Sequence, residues 1–321
     1  MLQMEMTTSI TLAMVFPGQG SQSVGMLASL AMADPHVRAT FAEASEALGE
    51  DLWALVSSGP EARLNQTECT QPAMLTAGVA VWRAWRAAGG PAPARLAGHS
   101  LGEYTALVCA GALDFAPAVR ITRLRGQLMQ AAVAPGAGAM AAILGLEDDA
   151  VRALCTAAAA GQVVAAANFN APGQVVIAGH AEAVARAVEL ARGAGARRVV
   201  PLPVSVPSHC ALMGPAAERL AAELERADVR SPSIPVVQNA DAATHDTPAE
   251  IRAALVRQLD HPVRWVETVR DLAQRGCTTL LECGPGKVLS GLNRRIDKRL
   301  DVRCIEDPEG LSEALRSLGA G

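Results

Sequence analysis

The sequence predicts an α/β protein in two parts. Residues 1–135 and 205–321 form a large domain on a mostly parallel sheet, and residues 136–204 form a small ferredoxin-like α+β insertion. Three observations carry this. Short apolar runs at 10–16 and 94–97 alternate with long helical patterns, the order strand, helix, strand, helix that parallel sheets require. From about residue 136 the texture changes to short strands and alanine-rich helices within about 70 residues. After Pro207 the longer alternation returns.

Each element has its own signal. ITLAMVF at 10–16 stops at Pro17-Gly18, a buried strand closed by a tight turn. ATFAEASEALG at 39–49 sets Phe41, Ala44, Ser45 and Leu48 on one helical face and ends at Gly49. PAMLTAGVAVWRAWRAAGG predicts a helix with Pro72 near its first turn and a stop at Gly89-Gly90. ARLAGHS supplies a second strand that feeds a helix from about Leu101, and a further helix covers 117–132. In the insertion, strands are predicted in GAMAAILGL, GQVVIAGH and ARRVVPLPVS, with helices at 147–160 and 181–194. Beyond it come a helix from His209 to Glu225, a strand at 234–238, helices at 248–259 and 264–275, a strand at 279–283 and a helix at 288–300.

Composition bounds the function. Of 321 residues half are hydrophobic and 19% charged, as in a folded enzyme and unlike a disordered chain. A net charge of −4 argues against general attraction to nucleic acid or anionic lipid, so neither is expected as a partner. The first apolar stretch lacks a basic flank and is too short for a signal segment or a membrane span. Seven cysteines, with no Cys-x-x-Cys pair and no histidines at metal spacing, read as reduced thiols; a cytoplasmic protein without metal or bound cofactor is expected.

Gly98-His99-Ser100-Leu101-Gly102 fits G-x-S-x-G, the strand-to-helix elbow that presents a serine at a helix N-terminus, as in α/β-hydrolase-like domains. The alternative is an ordinary turn serine that caps the helix. A nucleophilic serine needs a base. His36, His180, His245 and His261 lie in polar or helix-start contexts, and the His99 side chain is expected to point away around the turn. His209, in the nearly charge-free stretch PVSVPSHCALMGPA, is the candidate for a neutral imidazole held for proton transfer.

Four motifs occur in one order along the chain: FPGQGSQ at 16–22, GHSLGEY at 98–104, RGQLMQ at 125–130 and VPSHCALM at 206–213. With NFNAPGQVVIAGH and GPGKVL they span nearly the whole length, and the chain resembles the malonyl-CoA:acyl-carrier-protein transacylases of fatty-acid synthesis. The resemblance implies Ser100 as nucleophile, His209 as base and Arg125 as the group that holds the malonyl carboxylate. It implies an oxyanion hole from the main-chain N–H groups of Gln19 and Leu101, and a main-chain carbonyl at Gln258 that orients His209 where no acidic residue stands out. Gln71, Asn168 and Asn170 match further pocket positions, with turn or capping amides as the alternative. The implied partners are malonyl-CoA and an acyl carrier protein, and the enzyme is expected to be a monomer.

The residues support these roles separately. On a helix over 117–132, Arg125 shares a stripe with Ile121, Leu128 and Met129, whereas Arg120 and Arg123 fall off it as solvated charges. A guanidinium in an apolar stripe matches a carboxylate bidentately; the alternative is an ion pair with one of the chain's own acids. Gly18-Gln19-Gly20 is followed by Ser23 where a dinucleotide loop wants glycine, and Gly286-Lys287 lacks the rest of a phosphate loop. On the 288–300 helix, Leu289, Leu292 and Ile296 are expected inward and Lys287, Arg294, Arg295, Lys298 and Arg299 outward, facing an acidic carrier or simply water. The malonyl-transfer subunit of a malonate decarboxylase, or a serine thioesterase or esterase, are the competing functions.

Overall fold

The computed structural model describes residues 11–204 and 206–319; Ile10 of the predicted first strand and Ser205 at the end of the insertion's last predicted strand lie outside them. Strands follow in the order β1 (Leu12–Phe16), β2 (Arg95–Gly98), β3 (Gly138–Leu144), β4 (Val164–Ala171), β5 (Gln174–His180), β6 (Arg198–Pro201), β7 (Val236–Val237), β8 (Thr279–Cys283) and β9 (Asp301–Ile305). β1 and β8 are buried along their whole length, because helices cover both faces of the sheet they share. That sheet is parallel throughout, in the order β7-β2-β1-β8-β9. Its carboxyl edge, where open parallel sheets take their ligands, carries the turns after β1 and β2.

The second sheet is antiparallel, in the order β4-β5-β3-β6, with helices Asp148–Ala158 and Ala181–Gly193 packed on an alanine- and valine-rich face. The sequence predicts three strands here; β4 is a fourth, and it completes the β-α-β-β-α-β order of a ferredoxin-like unit. β4 also bonds outside its own sheet, to the segment ahead of helix Trp265–Gln274: Phe169 donates its N–H to the Val263 carbonyl at 2.9 Å and Val263 donates to the Ala167 carbonyl at 2.9 Å.

Three other predictions change. Thr67–Ala87 is one helix with Pro72 in its second turn rather than its first; that close to the N-terminus only the Glu68 carbonyl loses its helical donor. The predicted helix at His209 begins later, with a 3-10 turn at Ala211–Met213 and the α-helix at Gly214–Arg226. Beyond helix Val288–Ile296, the C-terminal segment adds β9 and helix Pro308–Ser317, started by an Asp307 cap and Pro308. Among the described residues no helix is long and apolar enough to cross a membrane.

Candidate active site

The elbow is built by close approach. A Cβ on Gly98 would lie 1.9 Å from the Gly102 carbonyl carbon, and one on Gly102 would lie 2.1 Å from the Phe16 carbonyl oxygen, so only glycine lets β2 turn this tightly into helix Gly102–Cys109. Ser100 between them sits at φ 51°, in the left-handed region a serine rarely adopts. The turn thereby lifts the hydroxyl above the carboxyl edge of the sheet, and Ser100 Oγ lies 2.8 Å from His209 Nε2.

His209 reaches the serine from a loop, also at positive φ (63°), with its own N–H donating to the Leu259 carbonyl at 3.0 Å. Its Nδ1 lies 2.7 Å from the Gln258 main-chain carbonyl, which fixes Nδ1 as the protonated nitrogen and leaves the Nε2 lone pair toward Ser100. Burial first, and then the Arg125 charge, push this imidazole down to about 3, so it stands neutral and ready to accept a proton. A carbonyl in place of a carboxylate would compensate an imidazolium here less.

Arg125 enters from helix Phe115–Ala131, which lies close against helix Thr67–Ala87 because Gly126 has no side chain: a Cβ there would be 2.6 Å from Glu68 Cα. The guanidinium is 1% exposed. Nη1 donates to Gln71 Oε1 at 2.8 Å, and Nη2 donates to Gln258 Oε1 at 2.9 Å and faces Ser100 Oγ at 3.4 Å. Burial lowers its pKa from the ordinary guanidinium value, yet arginine keeps its charge. Among the described residues its hydrogen-bond partners are thus neutral amides and a hydroxyl, not the ion pair that was the alternative. A buried cation with this company has the chemistry to receive an anion brought from outside.

These groups line one cavity of about 180 Å³. Of the predicted site residues, Ser100, His209, Arg125, Gln19, Leu101, Gln71, Asn168 and Asn170 border it, and Gln258 lies just behind, joined to three of them. Gln19 is exposed at the tip of the turn after β1, its side chain near Thr67; Leu101 heads helix Gly102–Cys109. Among the described residues the main-chain N–H groups of Gln19 and Leu101 donate to no other group, as oxyanion donors must. Thr67 and Ser208 also border it, and Met129, Met140, Val176, Leu202, Val204 and Val206 give it an apolar wall. These escaped the sequence reading because valine, leucine and methionine at such positions look like core.

Two expectations are corrected. His99 does not point away from the cavity: it borders it, with Nε2 2.8 Å from Asn170 Oδ1 and its ring 5.5 Å from that of Trp265, although nothing joins it to Ser100 Oγ. Arg123 is not a solvated charge; it pairs, partly buried, with Glu50, whereas Arg120 is exposed as expected. On helix Val288–Ile296, which is shorter than predicted, Leu289 and Leu292 are buried; Arg294 and Arg295 on it and Lys287, Lys298 and Arg299 flanking it are exposed, but Lys287 pairs with Glu306, Arg299 with Asp297, and Arg294 and Arg295 with carbonyl or amide oxygens. Sequence reasoning missed Asn239 and gave Glu103 no role. Both are fully buried beside the elbow, and nothing local in the sequence marks them.

Comparison with known proteins places the chain among relatives. Residues 13–301 match the model of the acyl transferase domain. The malonyl CoA-acyl carrier protein transacylase of Escherichia coli (strain K12) is 57% identical over 303 residues, 94% of this chain and 98% of that protein. The protein of the same name from Bacillus subtilis (strain 168) is 44% identical, over 96% of this chain and 97% of its own. The structure of the malonyl CoA-acyl carrier protein transacylase from Coxiella burnetii superposes with a TM-score of 0.96 at 50% identity, covering 97% of this chain and 98% of that one. A chain in the structure of a type II PKS acyl-carrier protein in complex with its malonyl-transacylase gives 0.95 at 55% identity, covering 96% and 99%.

Proposed function

Because the chain belongs to the acyl transferase family, with malonyl CoA-acyl carrier protein transacylases similar to it over nearly its whole length, we propose that Ser100, His209 and Arg125 move a malonyl group from coenzyme A to an acyl carrier protein. The single observation that carries the residue assignment is the convergence of an activated hydroxyl and an unpaired guanidinium 3.4 Å apart in one cavity. Ser100 Oγ attacks the thioester carbonyl while His209 Nε2 takes its proton. The carbonyl oxygen, now negative, meets the N–H groups of Gln19 and Leu101. The C–S bond then breaks, and the proton on His209 goes to the departing coenzyme A sulfur. In the second half a phosphopantetheine thiol gives its proton to His209 and attacks the malonyl-serine ester, and Ser100 recovers its proton as the new thioester forms. Arg125 holds the malonyl carboxylate throughout, with Gln71 and Gln258 fixing the plane of its guanidinium.

The chemistry needs only one chain, and we assign it to a cytoplasmic monomer, for which the seven thiols, all free, suit a reducing compartment. In the same proposal residues 1–135 and 205–321 supply the nucleophile, base and guanidinium, while 136–204 supply Asn168, Asn170 and much of the apolar wall.

Incubation with malonyl-CoA, followed by intact-mass analysis and peptide mapping, tests the function. A malonyl adduct on the Ser100 peptide that discharges on addition of holo carrier protein is expected; rapid loss to water without transfer would instead mark a thioesterase, and discharge only to a decarboxylase carrier would mark the other alternative.

A second expectation concerns pH. Since the imidazole is held down to about 3, the Ser100 acylation rate should stay flat as pH falls from 8 through the usual histidine range near 6.5 and drop only well below it. An acidic limb centred near the unperturbed histidine value would show that His209 is not the buried base described here.

A further inference from the structure

From the hydrogen bonds around the elbow we infer that Asn239, locked by Glu103, is a positioning residue that holds the Ser100 turn in its reactive geometry, an inference that rests on the transfer chemistry proposed above. Asn239 follows β7, the parallel neighbour of β2, and so stands at the carboxyl edge beside the elbow. It is fully buried. Its Oδ1 accepts from the Ser100 N–H at 2.6 Å and its Nδ2 donates to the Gly98 carbonyl at 2.7 Å. Those two peptide groups flank His99, where the chain leaves the ladder of β2 and has not yet entered helix Gly102–Cys109. One planar amide offers the acceptor and the donor side by side, which no carboxylate can do while ionised.

Asn239 is itself held. Its N–H donates to Glu103 Oε2 at 2.7 Å, its carbonyl accepts from the Arg264 N–H at 3.1 Å, and Gln238 Nε2 donates to Glu103 Oε1 at 2.9 Å. Glu103 belongs to the first turn of the helix that Ser100 precedes, so the bonds close a ring: elbow, Asn239, Glu103, helix, elbow. A serine at φ 51° persists only where its surroundings over-determine it, and this ring does so here together with the Gln258 side chain on the Ser100 carbonyl. Asn239 touches no reacting atom; it acts by keeping Ser100 Oγ in line with His209 Nε2.

The test uses the full chain and the variants Asn239→Ala and Asn239→Asp. Single-turnover acylation by malonyl-CoA should fall about 100-fold in Asn239→Ala, the scale of a small misplacement of a reacting atom, while KM stays nearly unchanged because Arg125 is untouched. Asn239→Asp should be equally slow at about pH 8 but gain about tenfold or more on acidification, because a protonated carboxyl regains the donor for Gly98; the wild type stays flat. The titratable or charged groups around position 239 are Glu103, His99 and His209 beside the turn, Arg125 beyond Ser100, and Asp241 and Arg264 in its own loop. All are common to both proteins, so a limb present only in Asn239→Asp reports the new carboxyl and the shifts it imposes on these neighbours. Labelling of Ser100 by a fluorophosphonate, which needs the aligned nucleophile but no malonyl contact, is run in parallel and should follow the same pattern. If the wild type labels but is not acylated, the malonyl assignment fails while the labelling series still judges Asn239. Wild-type rates in Asn239→Ala, or an Asn239→Asp profile that parallels the wild type at every pH, would overturn the inference. So would loss of the folded state in the near-isosteric Asn239→Asp by circular dichroism, which would make Asn239 a core residue rather than a guide for the nucleophile.

Discussion

Ser100→Ala is expected to abolish the malonyl-enzyme adduct and to lower transfer on the order of 10⁶-fold, the scale on which loss of a nucleophile from a serine–histidine unit is felt. The geometry concentrates the effect in one atom. Ser100 Oγ is the group that both His209 Nε2, at 2.8 Å, and Arg125 Nη2, at 3.4 Å, converge upon. Removal of the hydroxyl leaves the cavity, the oxyanion donors and the guanidinium in place, so malonyl-CoA should still bind. The check is intact mass after exposure to malonyl-CoA, with binding followed separately by equilibrium dialysis. An adduct that persists in the variant would move the nucleophile to another residue.

Arg125→Ala should separate acyl groups instead of stopping chemistry. Loss of a charge-assisted, bidentate partner for a desolvated carboxylate costs about 3 to 4 kcal/mol, so kcat/KM for malonyl transfer should fall roughly 10²- to 10³-fold. Acetyl transfer, which offers no carboxylate, should change far less. Arg125→Lys should recover only part of the loss, because an ammonium cannot answer both carboxylate oxygens in one plane or keep both amide partners, Gln71 and Gln258. The measurement is the malonyl-to-acetyl ratio in each protein, and an unchanged ratio would remove Arg125 from its role.

What could be foreseen from sequence follows physical lines. The elbow was legible because its two glycines are dictated by backbone contact and sit between a strand pattern and a helix pattern. Arg125 was legible because a charge in an apolar stripe is conspicuous. β4 was not, for a reason visible in its pairing: register shifts between Ala166 and Asn168 and between Phe169 and Ala171 break the two-residue alternation by which a strand is recognised. His209 stands out by its uncharged surroundings, yet it precedes the helix that the pattern predicts through it, since bonds on both ring nitrogens and on its main-chain N–H hold it at positive φ. Asn239 and Glu103 were invisible as a unit: a ring of bonds across 136 residues of sequence has no local pattern. The apolar wall is the same case in reverse, because lining a cavity and filling a core call for the same side chains.

Gln258 gives three different atoms to the site: its backbone oxygen to His209 Nδ1, its side-chain oxygen to Arg125 and its side-chain nitrogen to the Ser100 carbonyl. The first is independent of residue identity, whereas the other two vanish with the amide. A substitution at position 258 therefore keeps the carbonyl that orients His209 while it removes one support of the Arg125 guanidinium and one of the Ser100 turn, so a single codon divides the orientation of the imidazole from the bracing of its two neighbours.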